Sequence, residues 1–142
     1  MKNKNDPRHK ARCVTLAFIY ARSLSKTETD ISNIQKALQI TKPDKDLILK
    51  LVHCYFENLK FLTEVTDKYL KGWNISQLLE IDIILIRLAY LECYILDNIG
   101  IKIAIDEYVE LAKTYSSSTS GNFINGVLAK ILSDKKALAE QS

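Results

Sequence analysis

Apolar positions along the chain recur with the spacing of α-helices, and no segment alternates with the period of two that is typical of a half-buried strand. A first helix is predicted over residues 7–24. Its apolar face consists of Cys13, Leu16, Ala17, Tyr20 and Leu24. Asp6 followed by Pro7 is a typical helix start, because the carboxylate caps free amides and proline suits the first helical position.

The same spacing predicts at least five further helices. They are a short helix from Asp30 or Ser32 to Leu38, the longest helix from about Pro43 to Leu70, a central helix from Ser76 or Glu80 to Asp97, a helix over Ile101–Tyr115, and a last helix over Asn122–Leu132. The segment 114–122 is rich in serine and threonine and is predicted to be a loop. Gly126 lies inside the last helix, which predicts close helix packing there.

Length and composition agree with an all-α fold. A chain of 142 residues falls in the size range of one domain, and only four glycines and two prolines interrupt regular structure. We therefore predict a single helical domain over residues 7–132, between a basic tail over residues 1–6 and a frayed tail over residues 133–142.

Several classes of protein are disfavoured by the sequence. The most apolar run, residues 81–96, contains Asp82, Arg87 and Glu92, which indicates a buried helix of a soluble protein and not a membrane span. Arg87 is expected to pair with Glu92 or Glu107, since an unpaired buried guanidinium is costly. The N-terminus lacks the apolar region of a secretory signal.

The three cysteines favour neither a metal site nor a disulfide framework. They are odd in number, lie far apart and form no C-x-x-C pair. We expect reduced thiols in a cytoplasmic protein, with no bound metal and no cofactor.

Positive charge is concentrated at the N-terminal end. The formal net charge is +3, whereas residues 1–12 alone carry five basic residues and one acidic residue, a local charge of +4. Such asymmetry points to an anionic partner or, equally, to a solvated tail. Arg8 and Arg12 are four residues apart and share a helix face.

No catalytic constellation is evident. The two histidines are His9 and His53, and His53 cannot act on the adjacent Cys54 because neighbouring helical residues point in different directions. Phosphate-binding loops and nucleophile elbows are absent from the sequence. The chain is not expected to be an enzyme.

Three sequence blocks together resemble the NusB transcription antitermination family. The most specific is residues 101–113, IKIAIDEYVELAK, followed after a loop by residues 123–128, FINGVL. The central stretch from Ile81-Asp82 through residues 86–89 to Glu92, and the basic residues 8–12 followed by Tyr20, are similar to the family's central and first helices. The resemblance extends over residues 7–132.

This resemblance implies a fold of two small helical bundles packed together. It also implies a non-catalytic protein that binds the single-stranded boxA element of ribosomal RNA transcripts together with the small-subunit ribosomal protein NusE. The complex would support RNA polymerase antitermination and ribosome biogenesis. Monomers and homodimers are both compatible with the family.

The resemblance also implies roles for individual residues. The expected RNA-binding residues are Arg8, His9, Lys10, Arg12 and Phe123. The expected partner-binding residues are Tyr20 and Asp82. His9 and Lys10 stand where the family usually has consecutive arginines, and lysine lacks the bidentate fork of arginine.

Two other functions remain open from the sequence. One is a protein-interaction or dimerisation module without RNA affinity. The other is an accessory to RNA modification, since NusB-like domains also occur fused to RNA cytosine methyltransferases. This chain contains no cofactor-binding loop that would support methyl transfer itself.

Overall fold

The protein was analysed as a computed structural model, which describes residues 5–25, 28–72, 78–117 and 119–133. Over these residues the chain forms seven α-helices, one π-helical turn and no strand, so the all-α prediction is confirmed. The helices are α1 (Pro7–Leu24), α2 (Ile31–Ala37), α3 (Lys45–Glu57), α4 (Leu59–Leu70), α5 (Glu80–Tyr90), α6 (Ile101–Tyr115) and α7 (Ser120–Ser133). None of the helices in these ranges is both long enough and apolar enough to cross a membrane.

The chain divides into two compact units, residues 1–57 and residues 58–142. In unit 1, α1 packs against α2 and α3. The core of this unit is built from Ala11, Val14, Ile19, Ile48 and Leu51, each at most 2% exposed. In unit 2, α5 packs against α4, α6 and α7, as expected for a helix that is apolar nearly all round.

The boundary between the units lies where a single long helix was expected. That prediction was wrong, because α3 ends at Glu57 and α4 begins at Leu59. Asn58 between them has φ −106° and ψ 16°, outside the helical region, and its carbonyl accepts the Leu62 amide at 2.8 Å. Asparagine favours helix ends over helix interiors because its side chain competes for backbone hydrogen bonds. The longest helix is therefore α1.

The central helix changes its hydrogen-bond pattern before it ends. It begins at Glu80, and residues Leu91–Ile95 form a π-helical turn in which the Leu96 amide donates to the Leu91 carbonyl at 2.9 Å. Residues 73–77 lie outside the described part of the chain. Of the predicted break at Gly72-Trp73-Asn74, the structure therefore describes only Gly72, where φ is +96°.

The predicted loop before the last helix is shorter than expected. Helix α6 continues to Tyr115 and α7 already begins at Ser120. Close packing at Gly126 was also a wrong expectation, because this glycine is exposed and a Cβ there would have no atom within 4 Å. Ser133 is helical, and the rest of the predicted C-terminal tail lies outside the described residues, as do residues 1–4.

Helix α2 ends in a Schellman motif. The Ile40 amide donates to the Gln35 carbonyl at 3.2 Å and the Gln39 amide to the Lys36 carbonyl at 3.0 Å, while Gln39 has φ +56°. Glycine usually occupies this position because a side chain in the left-handed region is strained.

We expect Gln39→Gly to stabilise the protein by up to about 1 kcal/mol, because it removes this strain at the cost of some unfolded-state entropy. Thermal or urea unfolding followed by circular dichroism measures the change. The matched variant Gln39→Ala keeps the left-handed strain and should not be stabilised. A stabilised alanine variant would contradict the explanation.

Candidate nucleic-acid interface

The start of α1 is fixed by Asp6. Its carboxylate accepts the Arg8 amide at 2.8 Å, and Pro7 occupies the first helical turn, as the sequence predicted. The Arg8 guanidinium turns back to the same carboxylate, with 3.3 Å between Nη2 and Oδ2. The Arg8 backbone amide first, and its side chain second, lower the pKa of Asp6 by stabilising the ionised form.

Arg8 and Arg12 differ in burial although they lie one turn apart. The Arg8 side chain is 67% exposed, whereas Arg12 is only 5% exposed. The exposed surface at the start of α1 therefore carries the Arg8 guanidinium, whereas the Arg12 side chain is buried. Of the two guanidinium groups, that of Arg8 is therefore the one accessible from solvent.

Lys10 and His9 are both half-buried and have protein contacts. The Lys10 ammonium donates to the Thr41 carbonyl at 2.7 Å, and the His9 Nε2 lies 3.6 Å from the Cys13 Sγ one turn further along α1. An ammonium has three donors, so the bond to Thr41 leaves Lys10 able to donate to a phosphate as well. The basic stretch thus contains one exposed cation, Arg8, which is paired with Asp6, and one half-buried cation, Lys10, which donates to Thr41.

Tyr20 lies in the second half of α1 and is half-buried. Near it is an arrangement that the sequence analysis missed, in which the Arg22 guanidinium lies 5.7 Å from the Phe18 ring centroid and 5.8 Å from that of Phe56. Phe56 is 39% exposed. The i, i+4 spacing of Phe18 and Arg22 could have indicated their contact, but the contribution of Phe56 comes from another helix.

Asp82 is buried in unit 2, at 4% exposure, and is engaged by serines. Its Oδ1 accepts the Ser116 hydroxyl at 2.7 Å and its Oδ2 accepts the Ser120 hydroxyl at 3.3 Å. Ser120 Oγ also accepts the Ser117 amide at 3.2 Å. The carboxylate therefore holds the short turn between α6 and α7 and does not present itself at the surface.

Phe123 lies in the first turn of α7, three residues after Ser120, and is half-buried. Its amide donates to the Thr119 carbonyl at 3.4 Å. Asp82 holds the turn that leads into α7, and Phe123 lies in the first turn of that helix. The aromatic ring is therefore placed at the N-terminal end of α7, next to the turn that the carboxylate fixes. The ring keeps part of its surface available for stacking.

Among the described residues, no group of three or more His, Cys, Asp or Glu side chains is placed to hold a metal ion. His53 is exposed and lies 3.0 Å from the Glu57 carboxylate on the same helix, an ordinary surface pair. Cys13 and Cys93 are buried and Cys54 is half-buried.

Comparisons with known proteins agree on one family. A model described as the NusB family matches residues 9–133. The chain is 34% identical over 135 residues to a transcription antitermination protein NusB of Acetivibrio thermocellus, covering 94% of this chain and 93% of that protein. It is 33% identical over 127 residues to the protein of the same name from Ruminiclostridium cellulolyticum, with 87% of each covered.

Solved structures lead to the same group. The chain is similar to T. maritima NusB, with a TM-score of 0.73, 26% identity and 94% of each chain covered. It is also similar to a protein chain in a crystal structure described as that of a plectonemic RNA supercoil, with a TM-score of 0.80 and 25% identity, covering 96% of this chain and 99% of that one.

The different burial of the two arginines has a measurable consequence. Arg12→Ala should lower the free energy of unfolding by about 1 kcal/mol or more, because packing and polar contacts of a buried side chain are lost. Arg8→Ala should change it by less than about 0.5 kcal/mol, since an exposed ion pair contributes little. Urea unfolding of both variants measures this, and equal effects would contradict the assigned burial.

Removal of the Asp82 carboxylate should loosen the turn before α7. Asp82→Ala leaves the Ser116 and Ser120 hydroxyls without their buried acceptor, at a cost of about 1–3 kcal/mol. Hydrogen exchange should rise first at the amides of residues 117–123. Asp82→Asn retains an acceptor and is the matched control; an unchanged exchange rate in Asp82→Ala would contradict the role of the carboxylate.

Proposed function

The chain belongs to the NusB family, and we propose that it is an RNA-binding transcription antitermination protein without catalytic activity of its own. The relatives that share a third of its residues over nearly their whole length carry the name transcription antitermination protein. The likeness to a protein chain from a structure described by its RNA supports RNA as the ligand.

The finer proposal concerns the RNA and the partner. We propose that the chain binds boxA-type single-stranded RNA of ribosomal RNA transcripts in the cytoplasm, together with a NusE-type small-subunit ribosomal protein. In this role it joins the antitermination complex of RNA polymerase and supports ribosome biogenesis. The support for this level of detail is the match of residues 8–12, 101–113 and 123–128 to the family pattern.

The observation that carries the RNA proposal is the exposed basic start of α1. Arg8 presents its guanidinium to solvent, Lys10 lies two residues further along the same helix turn, and single-stranded RNA offers a row of phosphates that such cations neutralise. The Asp6 carboxylate competes for Arg8, but an exposed ion pair of this kind is weak and yields easily to a phosphate. Two such cations give modest, salt-sensitive affinity, which explains why a protein partner would be needed.

Phe123 and Tyr20 supply the contacts that charge alone does not. The partly exposed Phe123 ring suits stacking on an unpaired base, a contact of about 1–3 kcal/mol that tolerates any base. We propose that Tyr20 belongs to the protein-binding surface, where a phenol combines an apolar ring with a polar tip. His9 is half-buried beside Cys13, and we propose that its ring adds a hydrogen-bonding group to this surface.

Arg12 and Asp82 act indirectly in this proposal. Arg12 is buried, so we propose that it supports RNA binding by fixing the first turns of α1 and by adding to the local positive potential. Asp82 accepts hydroxyls at both oxygens, so we propose that it serves the partner surface through the serine turn that it holds. In both roles the side chain acts through its neighbours and does not itself touch the RNA or the protein partner.

A protein-interaction or dimerisation module is the second candidate. Helix α6 exposes Ile103 at 57% and Ile101 at 37%, and Leu79 before α5 is 45% exposed. Exposed aliphatic side chains of this size favour a protein contact when they form one patch. This candidate differs from the first in one respect, since it requires no RNA affinity.

Fluorescence anisotropy with a labelled boxA-like single strand and a scrambled control, with and without the cognate NusE protein, tests the proposal. We expect selective binding that NusE tightens. Arg8→Ala should weaken it and reduce the slope of log affinity against log salt by about 0.7, the value for one phosphate contact on a single strand. Lys50→Ala removes an exposed charge from α3 and is the matched control.

Two outcomes would contradict the proposal. The absence of selectivity between the two strands, with NusE present and the protein fully folded, would leave the interaction module as the better reading. Equal losses in Arg8→Ala and Lys50→Ala would show that binding depends on overall charge and not on the start of α1.

A further inference from the structure

The connection between α2 and α3, residues 38–44, forms a surface to which neither the family resemblance nor the proposed function assigns a role. We refer to it as the α2–α3 turn. Together with the last turn of α2 it surrounds an open concavity of about 480 Å³. The lining residues are Gln35, Lys36, Gln39, Ile40, Thr41 and Lys42.

This turn is fastened directly to the start of α1. The Lys10 ammonium donates to the Thr41 carbonyl at 2.7 Å, and the Asp44 amide donates to the Pro7 carbonyl at 2.9 Å. Lys42 lies between these two anchored positions in the sequence. These two contacts hold the Lys42 backbone close to the basic stretch of α1. The turn and the start of the helix therefore form one continuous surface of unit 1.

Two carboxylates near this combined surface are engaged by backbone amides, whereas Asp46 in the first turn of α3 is exposed. Asp6 caps α1 through the Arg8 amide, and Asp44 caps α3 by accepting the Leu47 amide at 3.0 Å. Lys36 and Lys42 are exposed at the turn, close in the chain to the half-buried Asp44. Both carboxylates are held at helix starts by backbone amides, and the exposed ammonium groups of Lys36 and Lys42 are accessible to an external anion.

The conformation of the turn is unusual for the residues that it contains. Lys42 has φ +56°, as does Gln39, and the left-handed region costs a residue with a Cβ about 1 kcal/mol or more. Asparagine or glycine would occupy these positions with less strain. A lysine that is exposed and held in this strained conformation is consistent with a use for its charge.

We propose that the α2–α3 turn is a second RNA phosphate contact, in which Lys36 and Lys42 bind the backbone of a single strand that also contacts Arg8 and Lys10. This proposal rests on the proposed RNA-binding function and extends its footprint beyond α1. The side-chain amides at the rim, Gln35 and Gln39, lie within the same concavity. Gln35 is already engaged with the Ile40 carbonyl at 3.1 Å, so Gln39 is the amide available to the strand.

The test is a double variant, Lys36→Gln with Lys42→Asn. Asparagine removes the ammonium and tolerates the left-handed backbone, so the turn keeps its conformation. The control double variant, Lys50→Gln with Lys60→Gln, removes two exposed lysines from α3 and α4 and gives the same net charge. Circular dichroism and thermal unfolding establish that both fold like the unmodified protein.

Anisotropy with a labelled single-stranded RNA across a salt series then separates the possibilities. The test variant should bind about tenfold more weakly at low salt, and its salt slope should fall by about 1.4, the value for two phosphates on a single strand. The control variant should keep the salt slope of the unmodified protein. A turn that merely shapes α1 would lower affinity without changing the slope, which would overturn the proposal.

Failure of this inference is distinguishable from failure of the proposed function. If the unmodified protein binds RNA and the test variant binds it with the same affinity and slope, the turn has no phosphate contact and the inference alone is wrong. If the test variant loses binding only when NusE is present, the turn contacts the protein partner and the inference is again overturned. If the unmodified protein binds no RNA, the proposed function itself fails.

Discussion

The burial of α5 imposes the main physical constraint on unit 2, because a helix surrounded by α4, α6 and α7 needs a partner for each polar group that it carries inward. Asp82 finds its partners in serine hydroxyls of the α6–α7 turn. Arg87 donates to the Thr66 hydroxyl of α4 at 3.3 Å. Glu92, in the π-helical turn, accepts the Tyr108 hydroxyl of α6. The three neighbouring elements are therefore tied to α5 by specific polar contacts as well as by apolar packing.

At the start of α1 the constraint is electrostatic, because cations lie together at the positive end of a helix dipole. Cations near a helix N-terminus are unfavourable by a few tenths of a kcal/mol or more. Asp6 offsets this cost, because its carboxylate caps the helix and lies beside the Arg8 guanidinium. The Thr41 carbonyl similarly receives the Lys10 ammonium. A basic surface is thus maintained by local acceptors that are weak enough for an RNA phosphate to displace or share.

Sequence reasoning succeeded where a boundary depends on neighbouring residues. Asp6 and Pro7 set the first residue of α1, Asp30 caps α2, and the apolar stripe over Ile101–Tyr115 gives both ends of α6. It failed where the outcome depends on distant contacts. The break at Asn58 is invisible in an apolar pattern that continues across it, and the start of α7 at Ser120 depends on hydroxyls that reach a carboxylate 38 residues away.

The same distinction explains the candidate interface. A spacing of four residues places Arg8 and Arg12 on one side of α1, yet one is exposed and the other buried, because burial depends on tertiary packing and not on spacing along the helix. The contact between Lys10 and Thr41 joins residues 31 positions apart, so no local pattern predicts that the α2–α3 turn adjoins the basic stretch. Charge counted along the sequence gives the sign of the ligand. The surface on which that charge is presented follows from tertiary packing, since the contact between Lys10 and Thr41 brings a lysine as far along the chain as Lys42 to the surface that carries Arg8.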